Sequence, residues 1–277
     1  MTSSLKTTGP NLSNKNWPAS LLNFSAQFWF IIAVLGMWIF AFYVAAFYGG
    51  AAMDGDFMRW NRVLPHGYIE GDSMGNLAVA IHLIFAIIVM VGGPIQFIPQ
   101  LRKYAPKFHR WNGRFYLGAA VLISMSGIYM VVTKGTISGL VGDISVSVNG
   151  IFILLFAYLA LQNAVNRKFG EHRKWALRLF LVMAGVWFFR VGLMCWLFIH
   201  KSPVGFDPET FRGPFLVFLG FGQYLIPLAV VELYFIAQRK KKSVIKILTA
   251  VTIFAFTVIT ALGTFAATMG MWLPRIT

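Results

Sequence analysis

The chain alternates between long apolar runs and short polar segments, and the runs are the dominant pattern. About 20 helical residues are needed to cross the hydrocarbon core of a bilayer. The pattern predicts an all-α, polytopic transmembrane helical bundle of about seven spans, forming one domain over residues 26–277 behind a polar tail at 1–25. The predicted spans lie near residues 26–49, 76–100, 113–133, 147–165, 175–199, 214–237 and 245–272.

The composition agrees with a membrane protein. Apolar residues make up 58% of the chain and charged residues 12%, whereas soluble domains average roughly 45–50% and 25%. The first apolar run is too long, and its polar tail too extended, for a cleaved signal peptide. A single cysteine, Cys195, excludes a disulfide framework or a cysteine-rich metal site within one chain.

Positive charge is distributed unevenly between the two ends of the spans. The N-terminus and the second, fourth and sixth loops hold 17 Lys and Arg residues, against 6 on the other side. The positive-inside rule therefore predicts a cytoplasmic N-terminus, a C-terminus outside, and a location in the bacterial inner membrane. The formal charge of +15 then reflects topology and contact with anionic lipid headgroups, not nucleic acid.

Two basic stretches occupy equivalent places along the chain. "KFHRWNGRFYLG" contains His109 and "EHRKWALRLFLV" contains His172. Both are predicted in loops on the N-terminal side, each before a span running away from that side. Two interpretations stay open at this stage: an internal duplication of helical hairpins, or two independent effects of the positive-inside rule.

The first stretch also carries a family resemblance. The run "IHLIFAIIVMVGGPIQF", followed by the pattern P-x-x-H-R-W-N-G-R-x-Y at the start of the next span, resembles a family of bacterial membrane proteins catalogued as domain of unknown function 2306. The resemblance covers roughly residues 77–200. It implies a multi-spanning membrane protein and carries no activity.

Ionisable groups within spans are expensive in hydrocarbon and so indicate function. His82 and Arg190 are predicted at similar depths in the second and fifth spans. Two interpretations stay open: both side chains face one cavity, or each forms its hydrogen bonds separately within the bundle. Glu232 in the sixth span is predicted to form a structural ion pair with Arg178. Asp143 is a possible alternative partner for Arg190.

Proline predicts bends in two spans, at Pro94 and Pro227, because it removes a backbone hydrogen bond within a helix. The amides of Gln96 and Gln223 lie near these positions. Together with Arg190 they form a predicted substrate-binding set. The competing interpretation is a local repair of each kink.

The leading functional hypothesis is a membrane redox protein that binds haem b. Axial histidines from facing helices hold haem in such bundles, and the candidates are His82, His109, His172 and His200. One observation opposes it: His172 and His200 are 28 residues apart, about 42 Å along a helix, which exceeds the hydrocarbon thickness of roughly 30 Å.

The alternatives are a transporter for a small solute, for which an anion would suit Arg190, and an accessory or sensory membrane protein without chemistry. The sequence contains no HExxH zinc motif, no Gly-x-Ser-x-Gly elbow and no phosphate-binding loop, so whether it is an enzyme stays open. A retinal pigment is excluded, because the seventh span has no lysine to form the Schiff base.

Overall fold

The computed structural model describes residues 17–64 and 66–276, which form helices joined by short loops, with no β-strand in these ranges. The predicted tail therefore lies largely outside the described residues. The helices are α1 (Trp17–Val44), α2 (Gly50–Met53), α3 (Ser73–Ile95), α4 (Pro99–Tyr104), α5 (Pro106–Lys134), α6 (Gly139–Val165), α7 (Phe169–Met183), α8 (Gly185–His200), α9 (Pro214–Arg239), α10 (Ser243–Ala267) and α11 (Leu273–Ile276).

The chain is an all-α polytopic bundle. Six helical stretches are long and apolar enough to cross a membrane, and the bent pair α7 and α8 makes a seventh candidate. We call the side at which α1 begins the N-terminal face and the opposite side the C-terminal face. The ends of α3, α6 and α9 and the starts of α5, α7 and α10 lie at the N-terminal face.

Several helices begin earlier than the hydrophobic pattern predicts. The first span begins at Trp17 and not near residue 26, because Leu22 packs against Ala237 and Ile253 and extends the buried face into the predicted tail. The helix α5 begins at Pro106, and proline suits the first helical turn because its missing N–H would have no helical partner there. His109 and His172 therefore lie on the first turns of helices and not in loops.

The sharpest bend within a candidate span lies at Ala184, where no proline is present. Here α7 and α8 meet at 52°. In contrast, α9 continues through Pro227 without interruption, and α3 ends one residue after Pro94. Pro227 is therefore accommodated within a helix and Pro94 at the end of one. The break lies instead in the fifth span, where the sequence pattern gives no sign of it.

The bundle has two main packed cores. One joins α1 and α8 with the segments that follow α1, α2 and α10 and with parts of α3, α7 and α9, through large buried side chains such as Met37, Trp187 and Trp272. The other joins α3, α5, α6, α7 and α9 around Tyr116, Phe156 and Tyr224. A helix buried on one side and facing lipid on the other needs no polar outer face, so the large exposed apolar residues are those expected of a membrane bundle.

Small residues allow the helices to approach closely, as is usual where lipid removes the hydrophobic driving force between helices. A side-chain carbon on Gly263 of α10 would lie 2.3 Å from the carbonyl oxygen of Val191 in α8. One on Gly36 of α1 would lie 2.6 Å from the Trp187 ring. These two glycines set the separation of α1, α8 and α10.

We expect Gly263→Ala to destabilise the protein by about 1–3 kcal/mol, because the added methyl group meets backbone that cannot move aside. The measurement is thermal unfolding of the detergent-solubilised protein. Gly118→Ala on α5 is the matched control, since no atom lies within 4 Å of its new carbon. Equal unfolding temperatures for the two variants would contradict the close approach of α8 and α10.

Candidate functional site around Arg190

Arg190 lies on α8, towards the C-terminal face of the bundle. Its guanidinium Nη1 donates to the carbonyl of Val186, at 3.2 Å, and its Cζ lies 5.3 Å from the ring centroid of Phe40 on α1. No described carboxylate forms an ion pair with it. The side chain of Asp143, its predicted alternative partner, instead accepts from the backbone N–H of Thr136 at 2.7 Å.

Phe40, whose ring the guanidinium faces, packs against Tyr43 and Trp272, and both of these carry a polar atom without a partner among the described residues. Tyr43 is 2% exposed, and its hydroxyl has no hydrogen-bond partner among the described residues. The same holds for the indole N–H of Trp272, whose ring lies 6.1 Å from that of Tyr43. Tyr43 and Tyr48 are both near enough to interact electrostatically with Arg190. A buried donor without a partner costs about 1–3 kcal/mol, so this region is polar beyond what packing requires.

Two π-helical turns flank the site. One spans Ala45–Gly49 at the end of α1 and contains Tyr48; the other spans Thr268–Trp272 at the end of α10 and contains Trp272. A π-turn inserts an extra residue in the helix and is frequent at functional sites. In this chain the two turns hold Tyr48 and Trp272, and the hydrophobic pattern cannot show the turns because both stretches are apolar.

The loop residues 54–64 and 66–72 follow α2 at the C-terminal face and contact the first π-turn. Trp60 is buried, and its indole N–H donates to the carbonyl of Tyr48 at 3.1 Å, which attaches the loop to the first π-turn. Arg59 bonds to Asp54 at 2.7 Å, and this hydrogen bond raises the pKa of Arg59 above its usual range. Asn61 and Tyr68 exchange hydrogen bonds at 2.8 and 2.9 Å. The loop is therefore ordered by its own contacts.

His82 on α3 bonds across to α5. Its Nδ1 lies 3.2 Å from the hydroxyl of Ser126, which itself donates to the carbonyl of Ile123 at 3.1 Å. Because the hydroxyl has only one proton, Nδ1 of His82 is the donor and its Nε2 is left without a proton. Arg190 is close enough to His82 to act on it electrostatically.

His200 lies elsewhere. It is exposed at the end of α8, its Nδ1 bonds to the carbonyl of Trp196 at 3.0 Å, and its ring lies 3.8 Å from the ring of Trp196. No interaction joins His200 to His82 in the part of the chain that the structure describes. These two candidate haem ligands are therefore not brought together in the structure.

His109 and His172 do come together at the N-terminal face, near enough to interact electrostatically. The Nδ1 of His172 lies 2.8 Å from the carbonyl of Ala160, so this nitrogen carries the proton and Nε2 is left free. Gln96 binds His109. In the orientation in which the Gln96 oxygen faces the N–H groups of Asn112 and Gly113, its amide nitrogen donates to Nδ1 of His109 at 3.0 Å. The proton of a neutral His109 then lies on Nε2.

The same amide of Gln96 also bonds to two backbone groups of α5. It accepts from the backbone N–H of Gly113 at 2.9 Å and donates to the carbonyl of His109 at 3.3 Å, two groups one helical turn apart. Asn112 donates in turn to the carbonyl of Gly92, at 3.3 Å. These contacts attach the end of α3 to the start of α5 and account for the Asn-Gly step of the first basic stretch.

The predicted substrate set is not assembled at one place. Gln96 lies at the N-terminal face with His109, Arg190 lies towards the C-terminal face, and Gln223 is buried on α9 with its amide donating to the carbonyl of Gly220 at 2.7 Å. In the sequence, Gln96 and Gln223 each lie near a proline within a span and Arg190 is a charge within a span, which is why the three form one predicted set. Sequence spacing contains no information on which helix faces which.

Arg178 and Glu232 are in contact at the N-terminal face. The distance from Arg178 Nε to Glu232 Oε1 is 2.6 Å. The guanidinium Cζ also lies 4.4 Å from the ring centroid of Trp175 and 5.2 Å from that of Phe235. The pair connects α7 to α9 and leaves Arg178 unavailable as a free anion site.

Part of the chain matches a known protein family. Residues 79–209 match the sequence model of a family described as predicted membrane protein DUF2306. This segment runs from α3 to the loop after α8 and includes His82, the two basic stretches and Arg190. No curated protein and no solved structure matches the chain.

Proposed function

We propose that this chain is a membrane carrier for a small anionic solute, which binds at Arg190. The observation that supports the proposal is a guanidinium within the bundle that has no acidic partner among the described residues. A charge in the membrane interior is costly unless it is paired or hydrated. A negatively charged solute is the counter-charge that such a site lacks.

The chemistry around Arg190 favours a monocarboxylate. The planar guanidinium presents parallel N–H groups that match the two oxygens of a carboxylate. The Tyr43 hydroxyl and the Trp272 indole N–H are further donors without partners, and the aromatic rings suit a short apolar substituent. A solute with one carboxylate and a few carbon atoms uses all of these groups.

A second arginine supports access from the C-terminal face. Arg275 on α11 is exposed and interacts electrostatically with both Arg190 and Tyr48. Positive groups in line from a surface to an interior site concentrate anions at its mouth. The Trp60 contact with Tyr48 lies over the site, so release of this loop is the opening step of the proposed carrier.

For orientation, we propose that the N-terminal face is cytoplasmic, in the inner membrane of a bacterium. The excess of Lys and Arg in the loops of this face supports it. These loops would contact anionic lipid headgroups. Solute then binds from outside the cytoplasm, on the face where Arg275 lies.

Haem b binding is a second proposal, and the observation in its favour is at His172. Its Nδ1 is held by the Ala160 carbonyl and its Nε2 is free, which is the arrangement that orients a histidine ligand. His109 does not provide a second ligand in its observed hydrogen bonding, because Gln96 donates to its Nδ1. His82 and His200 lie apart from each other and do not form a second pair. The residues of the N-terminal face therefore fit one axial ligand, His172, and not two.

We expect acetate and lactate to raise the unfolding temperature of the purified protein in nanodiscs, at constant ionic strength set with choline chloride. Arg190→Gln should increase the concentration for half-maximal effect at least tenfold, a loss of about 1.4 kcal/mol. Arg114→Gln is the matched control, because Arg114 is exposed near the opposite face. A response that Arg190→Gln leaves intact would contradict the proposed site.

Tyr43→Phe separates binding from folding in the same measurement. Without solute, this variant should unfold at a higher temperature, since a buried hydroxyl without a partner is removed. With acetate it should respond more weakly than the unmodified chain. Uptake of labelled acetate into proteoliposomes, reduced in both variants, tests the transport step itself.

The proposed orientation predicts the behaviour of fusions to the C-terminus. A reporter active only outside the cytoplasm should be active there, and one active only in the cytoplasm should be inactive, because an odd number of spans separates the termini. The opposite pattern would reverse the assignment of the two faces.

The haem proposal predicts a Soret band in the absorption spectrum of protein expressed with adequate haem. The band should be lost in His172→Ala, which removes the one histidine with a free Nε2 at this face, and kept in His200→Ala. A spectrum without this band would remove haem from consideration and leave the anion proposal unaffected.

A further inference from the structure

One side of α1 continues inward from the candidate site. Gly36, Phe40 and Tyr43 are spaced by four and three residues, so they lie on one face of this helix. The Arg190 guanidinium faces the Phe40 ring, and the Tyr43 hydroxyl has no described partner. Gly36 lies about 10 Å from Tyr43 along the helix axis, on the side of the N-terminal face. The groups packed against Gly36 are therefore the next layer of the bundle inward from the site.

Two polar side chains without partners pack against Gly36. A side-chain carbon on this glycine would lie 2.6 Å from Cζ2 of Trp187 on α8 and 2.8 Å from the hydroxyl oxygen of Thr264 on α10. Trp187 is 0% exposed and Thr264 is 9% exposed. The indole N–H of the first and the hydroxyl of the second both lack a hydrogen-bond partner in the part of the chain that the structure describes. Because Cζ2 is two bonds from the indole nitrogen, both polar groups belong to one layer.

Thr264 differs from the other threonines of α10. In an apolar helix a threonine hydroxyl can bond to the carbonyl four residues before it. The earlier threonines of this helix all do so, at 2.7 to 3.0 Å: Thr249, Thr252, Thr257 and Thr260. The hydroxyl of Thr264 makes no such bond and lies against Gly36 instead. It is therefore turned away from its own helix, towards α1.

The order from surface to interior is the same on all three helices. The helices α1, α8 and α10 run towards the C-terminal face, Trp187 precedes Arg190 by three residues, and Thr264 precedes Trp272 by eight. Trp187 and Thr264 therefore lie deeper than the groups around the guanidinium. The buried polar groups without partners in this region form two layers, with Tyr43 and Trp272 in the outer one and Trp187 and Thr264 in the inner one.

From this arrangement we propose that Trp187 and Thr264 form a second binding position, which the carboxylate of the solute reaches from Arg190. A carboxylate that leaves a guanidinium needs hydrogen-bond donors at its next position, since apolar side chains supply none. The indole N–H and the hydroxyl can each donate to one carboxylate oxygen. Neither group is charged, so the solute is held less firmly there than at Arg190.

Occupation of the second position requires a movement of the bundle. Trp187 and Thr264 pack directly against Gly36 in this structure, so the carboxylate enters only when α1 separates from α8 and α10. Such a separation is the inward step of a carrier that binds its solute at Arg190. The inference therefore rests on the proposed function and adds the residues of its next step.

Thr264→Val tests the position with little change in shape, because valine has the same branching without the hydroxyl. Acetate should still raise the unfolding temperature in nanodiscs with the same half-maximal concentration, since Arg190 is intact. Uptake of labelled acetate into proteoliposomes should fall about tenfold, the rate factor that one lost hydrogen bond accounts for. Thr257→Val is the matched control and should keep its uptake, because the Thr257 hydroxyl bonds to the carbonyl of Ile253 in its own helix.

A labelling experiment checks the same position without measuring transport. In a Cys195→Ser background, Thr264→Cys should react with a small anionic methanethiosulfonate, and acetate should slow the reaction. Adding Arg190→Gln should slow the anionic reagent and leave the rate of a neutral methyl reagent unchanged.

The outcomes separate the second position from the proposed function. Uptake that is lost in Arg190→Gln but kept in Thr264→Val would overturn the second position and leave the carrier intact. Failure of Thr264→Cys to react with the anionic reagent would overturn it as well. Absence of acetate uptake by the unmodified chain would overturn the proposed function, and the second position with it.

Discussion

The absence of hydrogen-bond partners in lipid is the constraint on which the rest of this structure depends. It confines the backbone to helices, and wherever a helix is interrupted a side chain must replace the missing bond. Asn149 does so at the break between α7 and α8, where its amide donates to the carbonyl of Val182. Within uninterrupted helices, Gln96 joins the end of α3 to α5, and the hydroxyl of Ser124 joins α5 to α6 by donating to the carbonyl of Gly150 at 2.8 Å. These polar side chains are therefore part of the framework.

Against that background, the polar groups without partners become informative. Those of Tyr43, Trp187 and Trp272 lie in the core that contains Phe40, whose ring the guanidinium of Arg190 faces. A bundle selected for stability alone would replace them with apolar side chains. Their position near an arginine without an acidic partner among the described residues, together with the two π-turns, is the reason for proposing solute recognition in this region.

Charged and polar groups bind one another at both faces of the bundle. At the N-terminal face Arg178 pairs with Glu232 and Gln96 bonds to His109. At the C-terminal face Arg59 pairs with Asp54 and Lys134 with Asp72, whereas Arg190 and Arg275 have no acidic partners among the described residues. Close packing at Gly36 and Gly263 joins α8 to α1 and α10, so a movement of the first turn of α8 would be transmitted to the aromatic residues around Arg190.

The sequence alone determined the class of fold and the number of candidate spans, because hydrophobic length is a local property. It also singled out Arg190, His109 and His172 as candidates, because an ionisable group in or beside an apolar run is visible in the sequence. Only the tertiary structure decided which helices face one another. It separated Gln96 and Gln223 from Arg190, placed the main bend at Ala184, and brought Tyr43, Tyr48 and Asn149 into consideration. An aromatic residue or an amide in an apolar run gives no sign in the sequence of whether its polar atom finds a partner, because that partner belongs to another helix.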